Sequence, residues 1–139
     1  MTSTPINLKS GYAEATIAPH RGAIVTSLRL AGRELLYLDR ATFDDPSKNV
    51  RGGIPVLFPT PGKLESDRWS YGSRSGTLSQ HGFARNLAWM VDSLSASSAT
   101  LALSSSDTTR AAYPWDFEAR LGYTVSPKAL RIDFAVKNT

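Results

Sequence analysis

Two short stretches of this 139-residue chain carry side chains suited to chemistry, NVRGGIPVLFPTPGKL (49–64) and SQHGFARNLAW (79–89). In the first, Arg51 precedes Gly52-Gly53. Arginine offers a planar fork of donors that matches a carboxylate, a phosphate or a pair of vicinal hydroxyls. Glycine lets the backbone come close to a ligand and adopt positive φ. The plainer alternative is a solvated arginine ahead of a tight turn. In the second stretch, Gln80, His81 and Arg85 surround Gly82-Phe83. Were this stretch extended, His81, Phe83 and Arg85 would share one face, because they lie an even number of residues apart. Phe83 would then be an apolar platform for a sugar ring between an imidazole and a guanidinium. A lone histidine is often only a satisfied surface or core residue. Here a long loop precedes it and a glycine follows it, which keeps a catalytic role equally open.

The elements that must position these groups read as β structure. YAEATIA (12–18) alternates imperfectly between Gly11 and Pro19. GAIVTSLRLAGRELLYL (22–38) reads as a hairpin: Ile24–Leu30 as one strand, AGR as the turn, Glu34–Leu38 as the return. DRATFDDPSKNVRGG is a polar loop, long enough to suggest function. Gly53–Phe58 reads as a short apolar strand whose prolines suit an edge or a strand end. TPGKLESDRWSYGSRSGTLSQHG is a second long loop. From residue 87 the alternation becomes regular through LAWMVDSLSA, ATLALSSS, FEARLGYTVS and LRIDFAVKN. The last two form the clearest hairpin, with a PKA turn. Leu130, Ile132, Phe134 and Val136 fall on one face, and Arg131, Asp133 and Lys137 on the other. No window gives a capped amphipathic helix. The expected fold class is all-β, an antiparallel β-sandwich, in a single domain over residues 1–139.

Composition removes several function classes. Cysteine is absent, which excludes disulfides, thiolate metal sites and a cysteine nucleophile. His20 and His81 are the chain's two histidines, too few for a zinc site of the usual kind. His20, in APHRGA, is expected at the surface. Asp44 and Asp45 have no third carboxylate spaced for a metal. No P-loop, GxGxxG or GxSxG occurs, so nucleotide and serine-triad readings lack support. The net charge of +4 favours anionic partners. Basic and aromatic residues do not interleave along a face, so nucleic acid is not an expected partner. No apolar run approaches the ~20 residues of a membrane span, and MTSTPINLKSG lacks the apolar core of a secretory signal. A cytoplasmic location is expected. Trp69, Tyr71 and Arg74 either line a cleft or tether their loop. Trp89, Tyr113, Trp115 and Phe117 are expected in the core, and Asp116 and Glu118 as solvated strand residues.

RGGIPVLFPTPG followed by QHGFARNLAW, in that order and at that separation, resembles the aldose 1-epimerase (galactose mutarotase-like) superfamily, nearest its hexose-6-phosphate mutarotase branch. HRGAIVTSLRLAGRELLYL upstream and YPWDFEARLGYTVSPKALRIDFAVKNT downstream extend the resemblance over nearly the whole chain. It implies a large supersandwich fold and reversible interconversion of the α and β anomers of an aldose or sugar phosphate, with no metal and no cofactor. It implies that His81 is an active-site histidine, that Arg51 and Arg85 bind substrate, and that Gln80 neighbours them. The family's second histidine and catalytic glutamate have no counterpart in this sequence, which resembles the N-terminal half of such an enzyme.

Two functions follow from different classes: a mutarotase, or a carbohydrate-binding domain without turnover. The exposed strand faces of half a sandwich also suggest a homo-oligomer.

Overall fold

The computed structural model describes residues 4–139. Met1–Ser3 of the N-terminal stretch, read above as no secretory signal, lie outside the described residues. Among those described, no helix is long and apolar enough to cross a membrane.

The fold is built from antiparallel strands. One four-stranded sheet runs in the order β1 (Ile6–Ser10), β2 (Ala13–Ala18), β3 (Ile24–Leu30), β4 (Arg33–Glu34). The second runs β10 (Ala129–Asn138), β9 (Phe117–Ser126), β8 (Ser98–Ser104), β7 (Met90–Leu94). Period-2 alternation aims both sheets at one core. Ile6 and Leu8, then Ala13, Ala15 and Ile17, are buried on the first sheet. Ala99, Leu101 and Leu103 on β8, and Phe117, Ala119, Leu121, Tyr123 and Val125 on β9, meet them from the second. The Tyr123 hydroxyl crosses between the sheets and donates to the Ala23 carbonyl at 2.6 Å. Trp89 and Phe117 are buried as expected, while Tyr113 and Trp115 are half-buried.

Strand β10 keeps its expected apolar face, but that face is only partly covered. Ile132, Phe134 and Val136 retain 38%, 46% and 48% of their exposure on an edge strand. A shallow groove separates Ile132 and Phe134 from Ile54–Leu57.

Several expected elements differ, each for an identifiable reason. Gly53–Phe58 is not a strand. It touches its neighbours through single bridges, Val25 with Ile54, Leu38 with Gly52 and Phe58 with Gly82. Pro55 and Pro59 cannot donate to a ladder, and Gly52 and Gly53 have φ of 96° and 66°. The return strand expected over Glu34–Leu38 stops at Glu34. The Glu34 carboxylate accepts from the N–H groups of Leu28 and Leu36 and shares that of Leu35 with the Leu28 carbonyl, so a side chain competes with the ladder beyond Glu34. The first polar loop contains the short helix α1 (Arg40–Asp44), opened by Asp39, whose carboxylate accepts from Ala41 N–H. A second short helix, α2 (Asp107–Ala112), is capped, contrary to the expectation of no capped helix. Ser106 and Thr109 bond reciprocally as a capping box. Six residues are too few to show an amphipathic period. The second long loop folds into a hairpin, β5 (Arg68–Tyr71) with β6 (Arg74–Thr77). Strand β1, INLKS, is too short and polar to stand out by its sequence pattern, and it forms by pairing with β2.

That hairpin settles the role of its aromatic residues. Trp69 Nε1 donates to the Ala112 carbonyl at 3.0 Å, and its ring lies 5.0 Å from that of Trp115. Arg74 covers the Trp115 ring at 5.8 Å. These contacts tether the hairpin to the segment after α2 and do not form a cleft wall.

Candidate active site

Backbone turns, not regular strands, build the site. Asp39 and the α1 segment hold the Arg51 wall. The Asp39 N–H donates to the Arg51 carbonyl at 2.9 Å, and the Arg51 N–H donates to Thr42 Oγ1 at 3.0 Å. Gly53 N–H donates to the Tyr37 carbonyl at 2.7 Å. A Cβ on Gly52 would stand 2.2 Å from that same carbonyl oxygen, so the backbone passes where only glycine fits. The Arg51 guanidinium is left exposed at the rim.

The opposite wall is the 79–86 turn. His81 adopts φ 69° and Gly82 φ 71°, so this stretch is not extended. Ala84–Asn86 closes a 3₁₀ turn that brings Arg85 back to His81. The shared extended face expected for His81, Phe83 and Arg85 is therefore replaced by a turn. Phe83 points away from the cleft, into an aromatic cluster with Phe58, Tyr113 and Phe117, and offers no platform to a sugar. Arg85 Nη2 donates to the Gln80 carbonyl at 2.9 Å. Burial pulls the Arg85 pKa below its ordinary value. Its Nε and the His81 Nδ1 are buried without a partner, so both groups keep hydrogen-bonding capacity in reserve. Gln80 Nε2 lies 3.5 Å from His81 Nε2.

The two walls enclose a polar cleft of about 580 Å³ lined by Thr42, Lys48, Asn49, Val50, Arg51, Gln80, His81 and Arg85. All four residues expected from the sequence, Arg51, Gln80, His81 and Arg85, meet here, although 34 positions separate the two arginines. Sequence reasoning missed Thr42, Lys48 and Asn49, which sat in a loop marked only by its length. Three cationic side chains and no carboxylate line the cleft, an arrangement that attracts an anion.

The remaining candidates lie elsewhere. His20 is half-buried, not a surface residue, with its ring edge-on to Phe43 at 6.0 Å. Burial, then the Arg21 charge, lowers its pKa below 6.5. Asp116 accepts from Arg110 Nε at 2.7 Å and from Ser105, and these bonds hold its carboxyl below the ordinary range. Glu118 pairs with Arg120 at 2.6 Å. Asp45 bonds Ser47 and pairs with Lys48. Among the described residues no group of three or more His, Asp or Glu side chains is placed to hold a metal ion.

Antiparallel sheets carrying this arginine- and histidine-lined cleft define a class that comparison makes explicit. The aldose 1-epimerase family model matches residues 5–139, and the chain belongs to that family. The structure superposes on the Slr1438 protein from Synechocystis sp. PCC 6803 with a TM-score of 0.93 and 37% identity, covering 99% of this chain and 50% of that one. A galactose mutarotase related enzyme from Lactobacillus acidophilus gives a TM-score of 0.84 and 30% identity, over 98% of this chain and 44% of that one. A relative from Escherichia coli (strain K12), named "Putative glucose-6-phosphate 1-epimerase", is 33% identical over 121 residues, 81% of this chain and 37% of the relative. The chain thus spans half or less of the length of each of these proteins.

Proposed function

We propose that the cleft binds an aldose, preferentially as its phosphate ester, and that this chain supplies the substrate-binding part of an aldose 1-epimerase. The observation that carries this reading is the convergence of Lys48, Arg51 and Arg85 with His81 in one cleft free of carboxylates. Lys48 pairs with Asp45 outside the lining at 3.5 Å, whereas Arg51 and Arg85 make no ion pair among the described residues, and such cationic side chains favour an anionic ester over a neutral sugar. Family membership and the name of the Escherichia coli relative support the same substrate class.

The chemistry needs two proton transfers. A base takes the proton from the anomeric hydroxyl while an acid protonates the ring oxygen, and the C1–O5 bond breaks to give the open aldehyde. Rotation about C1–C2 and the reverse transfers close the ring with the other configuration. His81 is suited to one of these transfers, and its unpartnered Nδ1 leaves the ring free to be oriented by substrate. Among the described residues no carboxylate stands in the cleft to perform the other. That observation favours a second reading for the 139-residue chain alone, sugar-phosphate binding with little turnover. Arginines that grip ground state and transition state alike raise affinity and not kcat.

Calorimetry with glucose 6-phosphate, beside polarimetry of anomerisation, tests both. Arg51→Ala and Arg85→Ala are each expected to weaken binding by roughly 10- to 100-fold, since charge-assisted bonds contribute roughly 1.5–3 kcal/mol. Unchanged affinity in both variants would overturn the assignment. The isolated chain should anomerise glucose 6-phosphate at least ~10²-fold more slowly than a relative with both proton-transfer groups. Equal rates, abolished by His81→Ala, would sink the low-turnover reading.

A further inference from the structure

The Pro19–Ala23 turn contributes no side chain to the cleft lining, yet it touches the backbone of both walls. Arg21 is only 9% exposed. Its Nη2 is within hydrogen-bond distance of three carbonyls: Thr42 at 3.0 Å, Asp45 at 3.4 Å and Lys48 at 3.0 Å. These carbonyls belong to the loop that presents Lys48 and Arg51. Arg21 makes no bond to a carboxylate, and its Nε is buried without a partner. A buried guanidinium neutralised only by backbone dipoles is a costly way to stabilise a fold, but it gathers chain that has little regular structure of its own.

The connection to Arg51 is direct. Thr42, whose carbonyl Arg21 holds, accepts the Arg51 N–H on its hydroxyl and donates that hydroxyl to the Asp39 carbonyl at 3.0 Å. On the other side, Gly22 N–H donates to the Leu87 carbonyl at 2.9 Å. Gly22 abuts Arg85 so closely that a Cβ would stand 2.3 Å from the Arg85 carbonyl oxygen. The turn itself is anchored by the Tyr123–Ala23 bond and by Trp89 N–H on the Pro19 carbonyl at 2.9 Å.

We infer that Arg21 is a positioning residue for anion binding: through Thr42 it fixes the Arg51 wall at a set distance from the Arg85 wall, which rests on Gly22. The inference deepens the sugar-phosphate reading and relies on it only where affinity is measured. Arg21 holds the loop that carries Arg51 and Lys48, so its removal should cost clearly less once Arg51, the larger part of that wall's anion contact, is absent.

The experiment is a double-mutant cycle combined with amide hydrogen exchange. Arg21→Met should speed exchange of the Lys48 and Arg51 amides by about tenfold or more, as the loop opens locally. It should weaken calorimetric affinity for glucose 6-phosphate, with inorganic phosphate as a second probe, by roughly tenfold or more, as expected when a binding group shifts by about 1 Å. In an Arg51→Ala background the same change should cost about threefold less or better, any remainder reflecting Lys48 on the same loop. Equal losses in both backgrounds would show that Arg21 acts through its charge or through global stability, and would overturn the inference. So would unaltered exchange in a folded variant. Arg21→Lys, which keeps the charge on a shorter reach, serves if Arg21→Met does not fold, with the same outcomes. If the native chain binds neither probe, the sugar-phosphate reading fails, and the exchange measurement alone decides whether Arg21 secures the loop.

Discussion

Gly82→Ala isolates the closest backbone approach in the site. Gly82 is buried with φ 71°, and a Cβ there would lie 2.2 Å from the Phe58 carbonyl oxygen and 2.7 Å from Pro59 Cδ. A non-glycine residue in the left-handed region costs roughly 1–2 kcal/mol. The Phe58 carbonyl must also retreat by about 1 Å to reach ordinary contact, and it is not free to do so. It accepts the N–H of Phe83 at 3.0 Å and of Ala84 at 3.1 Å. Losing both bonds costs about 1 kcal/mol each, for a total of roughly 3–4 kcal/mol, a large share of the ~5–15 kcal/mol typical of a domain. With a urea m-value of about 2 kcal/mol/M, the midpoint should fall by roughly 1.5–2 M. Gly72→Ala is the control: φ is +59° there and nothing lies within 4 Å of the added atom, so only the dihedral term of roughly 1–2 kcal/mol applies. If the two variants lose the same stability in urea titration, the Phe58–Gly82 approach is not what shapes the His81 turn, and the reasoning fails.

Tyr123→Phe removes the 2.6 Å bond between the sheets and leaves the Ala23 carbonyl unpaired, so a loss of about 1–3 kcal/mol is expected in the same titration. Burial pushes the Tyr123 phenol above its ordinary value of 10, so its contribution should be complete below pH 10 and should decline as pH rises past it, a decline the phenylalanine variant lacks. Burial, then Arg21, lowers the His20 pKa below 6.5. The folded protein therefore binds that proton less readily than the unfolded chain. The contribution should be complete above pH 6.5 and lost as pH falls below it, and a native chain no more acid-sensitive than His20→Gln would refute this. The 139-residue chain should self-associate along β10. Antiparallel pairing with a second copy about Ile132 places Arg131 opposite Asp133 in both directions and covers the exposed apolar stripe. A concentration-independent monomer in sedimentation velocity would count against it.

The regular strands were legible in the sequence because their signal is local. Ser98–Ser104 and Phe117–Ser126 repeat every two residues, and a strand half-buried against a core needs nothing more to be recognised. The identities of Arg51, Gln80, His81 and Arg85 were legible for a similar reason, since glycine and proline around them mark irregular backbone. What the tertiary structure decided was where that backbone goes. The stretch 53–58 had the composition of a strand, but proline and left-handed glycine removed its ladder, and distant carbonyls and amides became its partners. His81 and Arg85 meet through a turn and not through the period of a strand, and the same turn sends Phe83 into the core. Arg21 shows the limit most plainly. Nothing in APHRGA distinguishes a buried guanidinium from a solvated one, because the three carbonyls around it lie 21 to 27 residues further along the chain. Side-chain period is written residue by residue. The partners of an irregular backbone exist only once the sheets have brought remote segments together.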